Sequence, residues 1–471
     1  MNNKKVSILL LVISAMFLAL IVHITVFDLI HHDEYATTNT SGREEFVRRG
    51  SIYDRNGVLL AKSTGNIKNQ QRVYPYKNLY SHIIGYKSSI YDTSELEKAY
   101  NAPLMGEDDT AIVGEFMSFI EDARYALSGK SEKAGADMTL TIDHTLQSVC
   151  HSALGNFKGS VVVMNPKTGE IYAMVSKPDF DPTPETLDSA ITNASNNSLM
   201  RRATNELYMP GSTFKIVVTA AMLDNNMQDY VVNSETELRT DVTNYGNKKE
   251  IEGEVDLAQA FKTSSNIYFA EAAIELGKDK ILEKAKNFYF SEKISLKGLG
   301  VNVGTLPESN SLNSYRAVSN MALGQENVTT TPLHLAMIAS TIANDGVMMQ
   351  PYIVSKLTKP SFYRADSKSL KRCISSSTAK EIKDLMRLCV AEGTGTAANV
   401  YGRNICGKTG TAEVDTAKGT AHAHFIGFAP YENPEVAIAV VLENVDDHVT
   451  GGGYAAPIAR TVLDKYFQLN P

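Results

Sequence analysis

Apolar residues in this 471-residue chain fall into runs of two kinds. Continuous apolar stretches occupy Gly159 to Val175 and His424 to Asn444. The first is broken by Asn165-Pro166-Lys167-Thr168-Gly169 and the second by Tyr431-Glu432-Asn433-Pro434. Apolar runs interrupted by such turn residues predict paired β-strands. Between them, apolar positions three or four apart at 213–224, 255–262, 332–344 and 377–391 predict helices. A final helix is expected from Ala455 to Tyr466, with Gly451-Gly452-Gly453 before it read as a flexible loop without chemistry. Strand pairs early and late with helices between them predict an α/β domain, an antiparallel sheet flanked by helices.

The N-terminus carries a third pattern. Val6 to Phe27 is uncharged and mostly apolar, and at about 1.5 Å per residue it would reach roughly 30 Å, the thickness of a bilayer core. It has no small-residue cleavage site and no lipidatable cysteine follows it, so a membrane-spanning helix is expected. Lys4 and Lys5 before the run, with Asp28, Asp33 and Glu34 after it, predict a cytoplasmic N-terminus and an extracytoplasmic remainder. The expected organisation is a cytoplasmic tail at 1–5, the membrane helix at 6–27, a mainly extended non-catalytic pedestal at 28–155 and a catalytic domain at 156–471. Val58-Leu59-Leu60 is one of the pedestal's extended apolar pieces.

Composition narrows the function classes. A formal net charge of −7 without a basic run argues against a nucleic-acid partner. The four cysteines, Cys150, Cys373, Cys389 and Cys406, show no C-x-x-C spacing, so no metal cage is expected, and their pairing is left open. His422 and His424 alternate on a predicted strand with no third ligand nearby. No metal and no cofactor is expected.

Candidate chemistry centres on Pro210-Gly211-Ser212-Thr213-Phe214-Lys215. A serine three residues before a lysine, at the start of an apolar helix, puts hydroxyl and amine on one face. The serine needs a base to become a nucleophile, and free N–H groups at a helix start favour developing negative charge. A second copy, Ser377-Thr378-Ala379-Lys380, lies in a polar serine run and reads as a capped surface helix. Downstream of Ser212 come Ser264-Ser265-Asn266 and then Lys408-Thr409-Gly410-Thr411. Other partial matches, at Ser195-Asn196-Asn197, Ser311-Leu312-Asn313 and Lys167-Thr168-Gly169, lack the context; the last reads as a hairpin turn.

The order S-x-x-K, S-x-N, K-T-G resembles the signature of penicillin-binding proteins and serine β-lactamases. That resemblance implies Ser212 as nucleophile, Lys215 as general base and Ser264 as proton relay. Lys408 would supply electrostatics and a second relay group, and the backbone N–H of Thr411, with that of Ser212, an oxyanion site. Asn266, Thr409, Gly410 and Thr411 would bind substrate, the threonine hydroxyls suiting a terminal carboxylate and the glycine admitting substrate backbone. Two lysines near one cleft should lower an amine pKa. Whether Lys215 is already the base in the resting enzyme stays open from sequence.

The likeness extends further. Arg49-Gly50-Ser51-Ile52-Tyr53-Asp54-Arg55-Asn56-Gly57, Tyr74-Pro75, Ile84-Gly85-Tyr86, Gly324-Gln325 with Thr331-Pro332-Leu333, Glu392 to Ala397 and Phe425 to Pro430 all resemble class B penicillin-binding proteins. Glu326 departs from that pattern, which has a second glycine there. The resemblance implies a monofunctional D,D-transpeptidase that cross-links peptidoglycan stem peptides through a serine acyl-enzyme and is acylated by β-lactams. It also implies a membrane-embedded glycan polymerase and other division or elongation proteins as partners. Rival readings are a membrane-anchored class D-type β-lactamase or β-lactam sensor, a D,D-carboxypeptidase, and a non-catalytic division scaffold.

Overall fold

The computed structural model describes residues 47–106, 133–193, 197–233, 253–358, 363–415, 419–447 and 451–470, with 13, 14, 16–18, 21, 239, 240, 242 and 361. The expected membrane segment at 6–27 therefore lies largely outside the described residues. Ile13, Met16, Phe17, Leu18 and Ile21 within it are helical and exposed. Among the described residues no helix is long and apolar enough to cross a membrane.

In chain order the elements used below are β1 (Ile52–Tyr53), β2 (Leu59–Thr64), β3 (Gln71–Val73), β4 (Met138–Leu140) and α1 (His144–Ala153). They continue with β5 (Gly159–Met164), β6 (Ile171–Lys177), α2 (Lys215–Leu223), α3 (Leu257–Thr263), α4 (Asn266–Leu276) and α5 (Pro332–Ala343). Last come β7 (Val354–Leu357), β8 (Tyr363–Arg364), α6 (Ser376–Glu392), β9 (Cys406–Asp415), β10 (Thr420–Ala429), β11 (Val436–Asp446) and α7 (Gly451–Leu469).

A five-stranded sheet of order β9-β10-β11-β5-β6 is antiparallel at every junction, as the sequence pattern predicts. Alternate residues serve its two faces. Val161, Val163, Phe425, Ile438 and Val440 pack against α1 and α7, through Leu146, Cys150, Val462 and Leu463. Val162, Met164, Ile426, Ala439 and Val441 face α2 and α5, through Ile216, Val217, Leu335 and Ile338. Burial on both faces explains why these strands read as unbroken apolar runs. Asn165 Oδ1 accepts from the N–H groups of Lys167 and Thr168, closing the β5–β6 turn, so that K-T-G copy is structural.

The second sheet, of order β8-β7-β4-β1-β2-β3, is mixed, with β1 and β4 parallel. Its strands β7 and β8 come from beyond residue 350, so two late strands complete the sheet begun at residue 52. The Arg49 to Gly57 stretch builds the joint between the sheets. Asp54 Oδ1 accepts from the N–H groups of Asn56 and Val58, and Oδ2 from that of His144 at the head of α1. Arg49 is buried, its Nε 2.7 Å from Glu97 Oε2, while Arg72 Nε lies 2.6 Å from Glu97 Oε1. Burial pushes the Glu97 carboxyl up, but the Arg72 and Arg49 guanidiniums outweigh it and hold it below the usual carboxylate range.

One expectation is overturned. Gly451-Gly452-Gly453 is not a loop but the first turn of α7, which runs to Leu469. A Cβ on Gly451 would lie 2.2 Å from Gly410 O and 2.4 Å from His424 O, so the helix start is pressed onto β9 and β10. Glycine is there for close approach, which a sequence pattern cannot distinguish from looseness.

Candidate active site

Ser212 does not open an α-helix directly. Gly211–Phe214 form a 3-10 turn that leads into α2 at Lys215. Thr213 Oγ1 donates to Pro210 O at 2.8 Å and tightens the turn. Gly211 has φ +54, and a Cβ on it would come within 2.5 Å of Thr411 O. Its N–H donates to Gly324 O at 3.2 Å, so the Gly324-Gln325 motif backs the turn from the opposite side. Ser212 is half-buried, whereas Lys215 is fully buried.

The three motifs converge. Lys215 Nζ donates to Ser264 O at 2.6 Å, Asn266 Oδ1 at 2.8 Å and Ser264 Oγ at 3.3 Å. It also lies 5.4 Å from the centroid of the Phe269 ring. Lys408 Nζ reaches the same hydroxyl from β9, donating to Ser264 Oγ at 2.8 Å and to Thr409 O at 3.1 Å. Ser264 thus sits between the two amines. It occupies the C-cap of α3 with φ 61 and ψ 41, a left-handed conformation that a non-glycine residue adopts at a cost. Ser265 caps the following helix by accepting from the Tyr268 N–H at 3.0 Å, which sets Asn266 at the first position of α4.

Burial pushes the Lys408 amine down from 10.5 to about 8. The amine is fully buried, with the Phe261 ring centroid 5.7 Å away. A lowered amine was expected in this cleft, and it is desolvation, not the second lysine, that lowers it.

On β9 the side chains alternate. Thr409 Oγ1 pairs with Thr394 Oγ1 at 2.6 Å, and Thr411 Oγ1 accepts from the Gly451 N–H at 3.1 Å. A hydroxyl that accepts from a backbone N–H keeps its own proton free to donate, which suits it to an anionic ligand. Gly410 has a different use from the one expected. The space a Cβ would occupy there is taken by Thr213 Cγ2 at 2.9 Å and Pro210 O at 3.0 Å, so the glycine admits the Ser212 turn rather than a substrate backbone. The turn and the edge strand are thereby held as one unit.

Two participants escaped the sequence reading, Thr394 and Gly451. Thr394 lies in a flagged segment, but nothing local marks its hydroxyl as a partner of Thr409. The decoys are structural. Ser377 and Lys380 stand in the first turns of α6, capped by Ser375, with Lys380 ion-paired to Asp384 at 3.1 Å. Ser311 ends a 3-10 turn, and Ser195 and Asn196 lie outside the described residues. His424 is buried beside Gly410 on the neighbouring strand. Among the described residues no three His, Cys, Asp or Glu side chains cluster as a metal site, and all four cysteines are free and buried. Glu326 has φ 54 and the next residue, Asn327, φ 64, so the turn keeps a glycine-like backbone without the glycine.

Residues 159–464 match the family model of the penicillin binding protein transpeptidase domain, and residues 49–130 that of the penicillin binding protein A dimerisation domain. This chain belongs to the penicillin-binding protein transpeptidase family. It is 32% identical over 450 residues to peptidoglycan D,D-transpeptidase PbpA of Mycolicibacterium smegmatis, covering 89% of each chain. It is 30% identical over 446 residues to stage V sporulation protein D of Bacillus subtilis, covering 87% of this chain and 65% of that protein. Among solved structures it superposes on penicillin-binding protein A of Mycobacterium tuberculosis in its penicillin G acyl-enzyme complex. The TM-score is 0.80 at 32% identity, covering 89% of this chain and all of that one (100%). The D,D-transpeptidase domain from Eggerthella lenta matches with a TM-score of 0.78 at 32% identity, covering 90% of this chain and 99% of that one. These likenesses are to class B penicillin-binding proteins, the family expected from the motifs.

Proposed function

We propose that this chain is a serine-type D-Ala-D-Ala transpeptidase that cross-links peptidoglycan stem peptides through an acyl-enzyme on Ser212. The observation that carries the reading is the chain of contacts Asn266–Lys215–Ser264–Lys408, with both lysines buried, beginning one helical turn from Ser212. Ser212 Oγ adds to the carbonyl carbon of the penultimate D-Ala while neutral Lys215 takes the hydroxyl proton. As an ammonium, Lys215 donates to Ser264 O, Ser264 Oγ and Asn266 Oδ1, and it becomes a base by passing a proton through Ser264 Oγ to Lys408. An amine pushed down to about 8 is neutral in a minority of molecules near neutral pH, and in those it can receive the proton.

The backbone N–H groups of Ser212 and Thr411 stabilise the oxyanion, at about 3 kcal/mol for each donor. The C–N bond then breaks, the terminal D-Ala amine collects a proton by way of Ser264, and the acyl group stays on Ser212. An acceptor amine on a second stem peptide attacks the ester, loses its proton along the same route and frees Ser212. Thr411 holds the substrate carboxylate through the hydroxyl proton left free by the Gly451 contact, Thr409 joins it when Thr394 donates the hydrogen bond between them, and Asn266 bonds a substrate amide. β-Lactams acylate Ser212 as mimics of the D-Ala-D-Ala end.

The same reading puts the catalytic unit outside the cytoplasmic membrane, tethered through residues 6–27. The 28–155 segment then serves as a pedestal for a membrane-embedded glycan polymerase and other division or elongation proteins. Localisation of a fluorescent fusion tests this part, and uniform cytoplasmic fluorescence would exclude it. For the site, Ser212→Ala is expected to abolish covalent labelling by fluorescent penicillin while Ser377→Ala leaves it intact. Undiminished labelling of the Ser212 variant would sink the assignment.

A further inference from the structure

A cavity of about 290 Å³ lies at the joint between the two sheets, lined by Arg55, Thr139, Leu140, Thr141, Glu170, Ser355, Lys356 and Arg364. None of these belongs to the Ser212 site. Three cations face one carboxylate there. Glu170 Oε2 stands 3.7 Å from Arg55, which leaves two positive charges unmatched. Lys356 and Arg364 are direct cross-strand partners on β7 and β8, and neither has an ion pair among the described residues. Like charges directly opposite each other on a sheet destabilise it, so an unneutralised pair calls for an explanation.

The local backbone favours the same face. The register of β7 against β4 shifts between Val354 and Lys356, so Ser355 is the extra residue of a β-bulge. A bulge re-aims side chains, and here Ser355 and Lys356 line the cavity together. Thr139 is the β4 partner of Lys356, which sets Arg364, Lys356 and Thr139 in one row across three strands. Arg55 closes the other side, its guanidinium 4.4 Å from the Tyr172 ring centroid. Stacking and the Glu170 contact fix the plane of that fork.

We propose that this cavity binds a phosphoryl anion carrying two negative charges, with Lys356 and Arg364 as its principal ligands and Arg55 as an oriented third. Two unmatched cations suit a dianion better than a lone carboxylate; Ser355 Oγ and Thr141 Oγ1 already donate to Thr139 O and Ile171 O, so the hydroxyl that can add a hydrogen bond to a phosphate oxygen is that of Thr139. The volume fits a phosphate or pyrophosphate group with a small attached fragment. Two sources share this chemistry, a membrane-borne polyprenyl pyrophosphate and a soluble phosphate monoester.

The test uses the full chain and inorganic pyrophosphate as probe, at constant ionic strength with chloride as control. Pyrophosphate is expected to raise the thermal midpoint of the wild type in a saturable way. Lys356→Gln and Arg364→Gln should each weaken that binding about tenfold. Without the probe, each variant should melt at or above the wild-type temperature because a like-charge contact is gone. Both should label with fluorescent penicillin as the wild type does, which separates this site from Ser212. Flotation with phosphatidylcholine vesicles, with and without polyprenyl pyrophosphate, against competition by soluble glycerol phosphate, distinguishes the two sources. No saturable response to pyrophosphate, or equal responses in wild type and both variants, would overturn the proposal.

Discussion

Lys408→Met should make the protein more stable and inactive at once. Lys408 is fully buried, and its amine falls from 10.5 to about 8 through desolvation. At about 1.4 kcal/mol per pH unit, holding that amine charged in the folded state costs about 3 kcal/mol at pH 7. Methionine has a similar length and no charge, and the Phe261 ring beside it is apolar. The hydrogen bonds to Ser264 Oγ and Thr409 O are lost, worth about 1 kcal/mol together for a neutral amine. The net gain is then about 2 kcal/mol, or roughly 3 °C in Tm for a domain spanning residues 159–464.

The pH dependence makes the reasoning strict. Between the folded and unfolded pKa values the unfolded state binds the extra proton, so this lysine's penalty is full below about pH 8 and fades as pH rises toward 10.5. The stability difference between variant and wild type should therefore fall by about 3 kcal/mol from pH 7 to pH 10.5, passing from about 2 kcal/mol in the variant's favour to about 1 kcal/mol against it. Other groups titrate in both proteins and cancel. Differential scanning calorimetry of the two proteins across that range, beside a penicillin acylation assay, reads both effects. A variant that melts below the wild type at pH 7, or a difference independent of pH, would refute the burial argument.

Other perturbations test separate parts of the account. Glu326→Gly removes a left-handed non-glycine residue and should raise stability by about 0.5–1 kcal/mol, seen as a higher urea midpoint; a lower midpoint contradicts it. Arg49→Ala leaves the buried Glu97 with Arg72 alone and should destabilise by roughly 2–3 kcal/mol in urea unfolding, where an unchanged midpoint would show that the pair carries no weight. Gly451→Ala forces a methyl group to within 2.2 Å of Gly410 O, and should slow penicillin acylation at least about tenfold by lifting β9 from the Ser212 turn. A wild-type acylation rate would mean the helix start does not hold the strand.

The catalytic motifs were legible because each is local and their order along the chain is informative. Ser264 to Asn266 and Lys408 to Thr411 meet beside the Ser212 turn, as their order along the chain implied. Contacts between distant segments were not legible. Nothing in Val354 to Arg364 announces that it pairs with residues 138–140, and nothing around Thr394 predicts Thr409 as its partner. Glycines misled in a consistent way. Gly410 and Gly451 looked like room for substrate and a loose loop, yet both are places where this chain packs against itself.

The claim that Ser212 carries the acyl group is tested most directly by mass spectrometry. Incubating the full chain with a donor stem pentapeptide ending in D-Ala-D-Ala, trapping by rapid acid quench and mapping peptides should show an ester adduct on Ser212 lacking one D-Ala. Addition of an acceptor amine should discharge it into a cross-linked product. An adduct on Ser377 or any other residue, or a cross-linked product formed by the Ser212→Ala protein, would contradict the account.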